Sequence, residues 1–173
     1  MNSLLNWMNA HQDGLAFIVV CALVMLAYLM KKKARAMAVI GTAAYAIFIL
    51  YKTVLSRSPR NSAVNLELGW SYRALINGEP GMFSQIYLNI MLFIPLGLFS
   101  GMFFLNKKKR SYLLPVAFGV ILTVTIEFLQ LTLQRGTFEL DDIFNNTIGT
   151  IIGVFLAVII NRKTKKRSEE NDE

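Results

Sequence analysis

At 173 residues the chain would suit one soluble domain, but 54% of it is hydrophobic, its mean hydropathy is +0.46, and its apolar stretches approach membrane-spanning length. These figures exclude a soluble globular domain and give an all-α integral membrane protein. The net charge of +7 lies mostly in three short basic clusters beside apolar stretches, a pattern that sets orientation in a bilayer rather than one that binds nucleic acid.

Five segments are predicted as transmembrane helices: residues 14–30, 36–55, 86–105, 112–133 and 143–160. Each approaches the length needed to cross about 30 Å of hydrocarbon at about 1.5 Å per residue. The first lacks a positive region before it and is followed by lysines, so it reads as a retained helix and not as a signal peptide. The clusters KKKAR (31–35), KKKR (107–110) and RKTKKR (162–167) then fall on one side of the membrane. By the positive-inside rule that side is the cytoplasm, which puts the N-terminus outside and the C-terminus inside. Three parts follow: a two-helix segment (1–55), a core of an outer loop and three helices (56–160), and a cytoplasmic tail (161–173) that is basic and then acidic, its acidic end SEENDE (168–173) expected to be disordered.

Metal chemistry has few candidate ligands. His11 is the single imidazole and Cys21 the single thiol, which disfavours zinc, haem and disulfides and leaves only an oxygen-ligand cation site open. No metal or other cofactor is assigned. The longer outer loop, 56–85, contains NLELGWSYRAL, whose mixture of Leu66, Leu68, Trp70, Tyr72 and Leu75 with Glu67 and Arg73 suits the headgroup level of a bilayer.

Polar residues gather at the outer end of the last three spans. Asn89 lies about one turn inside the third span, followed by Pro95, which interrupts the backbone ladder and is expected to kink the helix. On the fourth span Glu127, Gln130 and Gln134 share one face, with Glu127 about 10 Å below the mouth. A carboxyl group at that depth is costly and marks a functional site, unless it is neutral and only hydrogen-bonds neighbouring helices. Arg135 follows in the short loop. On the fifth span Asp142, Asn146, Gly149 and Gly153 form one stripe, and Asn145, Gly149 and Gly153 an overlapping one. Helix capping accounts for one of Asp141 and Asp142. Packing accounts for Gly97, Gly101, Gly149 and Gly153, which form two GxxxG pairs. Asn89, Glu127, Gln130, Arg135, Asp141, Asp142, Asn145 and Asn146 are therefore expected to line one outward-facing pocket.

The stretches NIMLFIPLG (89–97) and EFLQLTLQRGTFELDDIFNNTIG (127–149) resemble the VanZ-like family of bacterial membrane proteins. Its pattern of N-x-x-x-F-x-P-x-G, E-x-x-Q and an arginine loop leading into D-D-x-x-x-N-x-x-G is matched in order. Asn89, Phe93, Pro95 and Gly97 fit the first part, Glu127 and Gln130 the second, and Arg135, Asp141, Asp142, Asn146 and Gly149 the third. The chain departs at Glu139, where aspartate is common, and at Asn145, where the family is usually apolar. The resemblance implies a plasma-membrane protein of the cell envelope associated with tolerance to lipoglycopeptides such as teicoplanin.

Three functions compete. The first is an outer pocket that binds membrane lipid, a lipid-linked wall precursor or the lipid tail of a lipoglycopeptide. The second is an enzyme in which Glu127 works as acid or base while Asp141 and Asp142 hold a divalent cation and Arg135 contacts a lipid phosphate. No residue is assigned a catalytic role. A transporter is disfavoured, since no inverted repeat is evident and the polar groups stop at mid-membrane.

Overall fold

The computed structural model describes residues 34–105 and 112–171. The predicted span 14–30, with Cys21, lies outside the described residues, as do His11 and the KKKR cluster.

Five α-helices and two very short strands make up the described chain: α1 (Ala34–Leu50), β1 (Val64–Asn65), α2 (Trp70–Ile76), α3 (Met82–Leu105), α4 (Leu113–Thr132), β2 (Phe138–Glu139) and α5 (Leu140–Asn171). Four helical stretches are long and apolar enough to cross a membrane: Ala38–Leu55, Met82–Phe104, Leu113–Thr132 and Leu140–Arg162. They match the last four predicted spans, the largest difference being the start at Met82 in place of residue 86. Of the acidic end expected to be disordered, residues 168–171 are helical instead, because α5 continues through the basic cluster as far as Asn171.

Helices α3 and α5 form the most extensive pair, and the glycines explain it. A Cβ on Gly149 would lie 2.2 Å from the Ile90 carbonyl oxygen, one on Gly153 2.0 Å from that of Ile94, and one on Gly97 2.1 Å from that of Thr150. The two backbones are therefore in direct contact, the approach that small residues permit where lipid supplies no hydrophobic drive for helix association. α3 stays helical through Pro95, and Tyr45 of α1 donates to the Leu92 carbonyl at 2.6 Å. Tyr45, Ile49, Phe93, Leu96, Phe99 and Ile126 fill the space between α1, α3 and α4.

The end of α1 loosens into a π-helical turn, Tyr51–Leu55, closed by the Ser56 amide on the Tyr51 carbonyl at 2.8 Å. Such a turn leaves carbonyls without their ordinary helical donors. Side chains from the end of α4 and the loop beyond it supply donors. Gln130 Nε2 reaches the Thr53 carbonyl at 3.1 Å, and Arg135 Nη1 reaches those of Leu55, at 2.8 Å, and Arg57.

The long loop is ordered by pairing with the short one. β1 and β2 run parallel in the register Val64 to Phe138 and Asn65 to Glu139. The Arg60 amide donates to the Gln134 carbonyl at 2.7 Å and the Phe138 amide to that of Ala63 at 2.9 Å. Together the loops cap the end of the bundle where the polar side chains gather.

Candidate functional site

Glu127, Gln130, Asp141, Asp142, Asn145 and Asn146 are all buried, whereas Asn89 and Arg135 are half-buried. The eight predicted residues thus share one end of the bundle but do different work there.

The centre is a group of three carboxyl side chains, Glu127 on α4, Asp142 on α5 and Glu139 on β2. Asn89 Nδ2 donates to Asp142 Oδ1 at 2.6 Å. Gln85 Nε2 lies 3.1 Å from Glu139 Oε2 and 3.4 Å from Asp142 Oδ1, which ties the two acids together. The Glu139 amide donates to Glu127 Oε2 at 3.0 Å, so the residue that brings the third acid also holds the first. One helical turn deeper, Asn146 Nδ2 donates to Thr123 Oγ1 at 2.8 Å. Thr123 precedes Glu127 by four residues and Asn146 follows Asp142 by four, so α4 and α5 present two successive polar layers to each other.

Burial raises the Glu139 carboxyl from its ordinary 4.5 to about 7, reinforced by the Asp142 charge and opposed by the Gln85 hydrogen bond and the Arg60 charge. Arg57 and Arg60, both on the long loop, are the basic groups whose charges act on these acids, yet neither is close enough to ion-pair with them. Burial therefore favours a protonated carboxyl at Glu139, and the Arg60 charge offsets this only in part.

Asp141 plays a separate part. Its Oδ1 accepts from the Gly69 amide at 2.5 Å, and its Oδ2 accepts from the Ser71 amide at 2.8 Å and the Ser71 hydroxyl at 2.6 Å. It caps the N-terminus of α2, whose own N-cap residue, Gly69, has no side chain to do so. The capping role expected of one aspartate is thus present, but it serves a helix distant in sequence. Beside it the Tyr72 hydroxyl donates to Asn145 Oδ1, which gives a reason for a polar residue at a position where the resemblance led one to expect an apolar one.

Two assignments in the enzymatic reading change. Both oxygens of Asp141 are engaged by the loop, leaving Asp142 without its expected partner around a cation. Among the described residues no group of three His, Cys, Asp or Glu side chains is arranged to hold a metal ion. Arg135 spends its guanidinium on backbone carbonyls, and the loop arginines near the acids are Arg57 and Arg60.

The site residues predicted from the sequence did not include Glu139, Gln85, Ser71, Tyr72, Thr123, Arg57 or Arg60. Gln85 and Thr123 had a visible signal, since each lies four residues before a site residue, Asn89 and Glu127, and so shares its face. Buried polar atoms with no protein partner remain at Gln130 Oε1, Asn145 Nδ2 and Asn146 Oδ1. They show that internal pairing does not exhaust the cluster's hydrogen-bonding capacity.

No solved structure matches the chain. Protein VanZ of Enterococcus faecium is 29% identical over 87 residues, which cover 50% of this chain and 52% of that protein. The chain thus spans about half the length of the curated relative it matches. The family model for VanZ/LLP1 matches residues 42–161, a range that takes in α2 to α4, both strands, most of α1 and the membrane part of α5. With four helices among the described residues long and apolar enough to cross a membrane, and with this match, the chain is a multi-pass bacterial plasma-membrane protein and belongs to the VanZ-like family.

Proposed function

We propose that the polar end of the bundle faces the outside of the cell and engages an envelope lipid or the lipid tail of a lipoglycopeptide, raising tolerance to antibiotics such as teicoplanin. The observation that carries this reading is the group formed by buried Glu127 and Asp142 with half-buried Glu139, within a bundle end built by α3, α4 and α5. Intramembrane acids are expensive, and in membrane proteins they mark sites of function. In the same reading the basic clusters at the other end face the cytoplasm. The chain divides into a two-helix segment, a core of residues 56–160 and a cytoplasmic tail.

A second reading, an enzyme using acid or base chemistry on a lipid-linked substrate, draws on Glu139. A half-buried carboxyl group raised to about 7 is poised to exchange a proton near neutral pH.

The test is antibiotic susceptibility of a Gram-positive host expressing the wild type, Glu127→Gln or Asp142→Asn, at matched membrane levels, against teicoplanin and vancomycin. Protection against teicoplanin alone, lost in both variants, is the expected outcome. Variants that protect as well as wild type would make the acids structural and remove this reading. For catalysis, Glu139→Gln should abolish protection entirely, whereas a binding site should lose only part of it.

A further inference from the structure

The long loop carries an apolar surface that folding leaves uncovered. Val64, Leu66 and Leu68 are 55%, 62% and 60% exposed, and Ile76, at the end of α2, is 83% exposed. The first three lie in one short exposed stretch at and just after β1, where Glu67 is held between the leucines by its amide, which donates to Asn65 Oδ1 at 3.1 Å, and by its carboxylate on Arg73. Beyond the turn, Phe83 and Tyr87 stack on the outside of α3 at 5.9 Å, both exposed, and Leu88 and Met91 continue the apolar surface down that helix.

This surface is held in place. Asp141 fastens the start of α2, Tyr72 bonds Asn145, and β1 pairs with β2. The inner side of α2 is Ser71 and Ala74, both buried, so the short helix cannot roll its apolar residues inward without breaking those bonds. An exposed Glu67 to Arg73 ion pair supplies a polar rim.

We infer that this loop docks on the surface of its own bilayer, with Val64, Leu66, Leu68 and Ile76 seated among the headgroups and upper acyl chains. Two features select lipid over a protein partner. The loop joins the ends of two membrane-spanning helices, α1 and α3, which brings it to the level where hydrocarbon gives way to headgroups. Past the exposed turn at residues 77–81, the helix it leads into also presents exposed apolar side chains, Phe83, Tyr87, Leu88 and Met91, as the lipid-facing side of a membrane-spanning helix does. Because Asp141 and Asn145 hold the other side of the same loop, its seating in lipid also helps position the helix that carries Asp142. The inference does not depend on the antibiotic reading.

The experiment uses the full chain in liposomes with Cys21→Ser and single cysteines Leu66→Cys, Glu67→Cys or Leu68→Cys, each labelled with an environment-sensitive fluorophore. Quenching is compared between iodide in water, lipids bearing a nitroxide near the headgroup, and lipids bearing one deep in the acyl chain. Labels at Leu66 and Leu68 should be quenched by the shallow nitroxide and protected from iodide, with the label at Glu67 showing the reverse. Iodide quenching at all three positions would place the loop in water and overturn the proposal. Protection of all three from both quenchers, increasing with protein density, would mean that a second copy covers the loop, and would overturn it equally.

Discussion

Asp141 and Ser71, seventy residues apart in the chain, are joined by two hydrogen bonds to a single carboxylate oxygen, one from the backbone amide at 2.8 Å and one from the hydroxyl at 2.6 Å. The first turn of one membrane helix thereby closes the first turn of an extramembrane helix. This relationship separates neighbouring aspartates that are indistinguishable by type, since Asp142 faces the opposite group of acids.

Replacing Asp141 by alanine leaves the Gly69 and Ser71 donors without their acceptor, at a cost of about 3 kcal/mol. Ser71→Ala removes only one of the bonds and should cost about 1 kcal/mol. Thermal unfolding of the purified protein in detergent should show this order, with limited proteolysis detecting a loosened loop near Gly69 in the aspartate variant. Asp142→Asn should leave that loop as resistant to protease as it is in wild type.

The Tyr72 to Asn145 contact predicts non-additivity. Tyr72→Phe removes the donor to Asn145 Oδ1 in a side chain whose Nδ2 already lacks a partner, so it should destabilise by about 1 kcal/mol. Asn145→Leu removes the buried polar group altogether. Adding Tyr72→Phe to Asn145→Leu should then cost clearly less than Tyr72→Phe costs alone, as a double-mutant cycle on unfolding would reveal.

Gly153→Ala and Gly149→Ala should separate α3 from α5, because each new methyl group would meet backbone, at 2.0 and 2.2 Å. Backbone cannot move aside as a side-chain tip can, and about 3 kcal/mol or more is expected for each. Gly101→Ala meets the Ala157 Cβ at 2.7 Å and should be milder. Folded yield and melting temperature in detergent give the comparison.

Glu139 makes stability pH-dependent with a definite sign. Its carboxyl stands at about 7 in the folded protein against an ordinary 4.5, with burial the main cause. The folded state therefore holds the proton more tightly than the unfolded state. The group's contribution is most favourable below about 4.5, declines as pH rises, and reaches its minimum above about 7. Glu139→Gln should flatten that decline, so the melting temperature of wild type should fall more than that of the variant between about pH 5 and about pH 8.

Much of this arrangement is legible in the sequence because helical periodicity reports directly on faces. Apolar length defined the last four spans, the glycine spacing marked helix faces fit for close packing without naming which helices meet, and the three-four spacing of Glu127, Gln130, Asp142 and Asn146 placed polar groups at a common depth. Periodicity fixes a residue only relative to its own helix axis. Successive residues point about 100° apart, so Asp141 and Asp142 were certain to face different neighbours, but the identity of those neighbours depended on how α5 is rotated against α3 and how the long loop folds over it. Tertiary packing decided that Asp141 caps α2, that Arg135 satisfies the carbonyls of a π-helical turn, and that Glu139 completes the group of acids with Gln85 bridging it to Asp142. The loops were least legible, since their hydrogen bonds cross from one segment to another with no repeat to announce them.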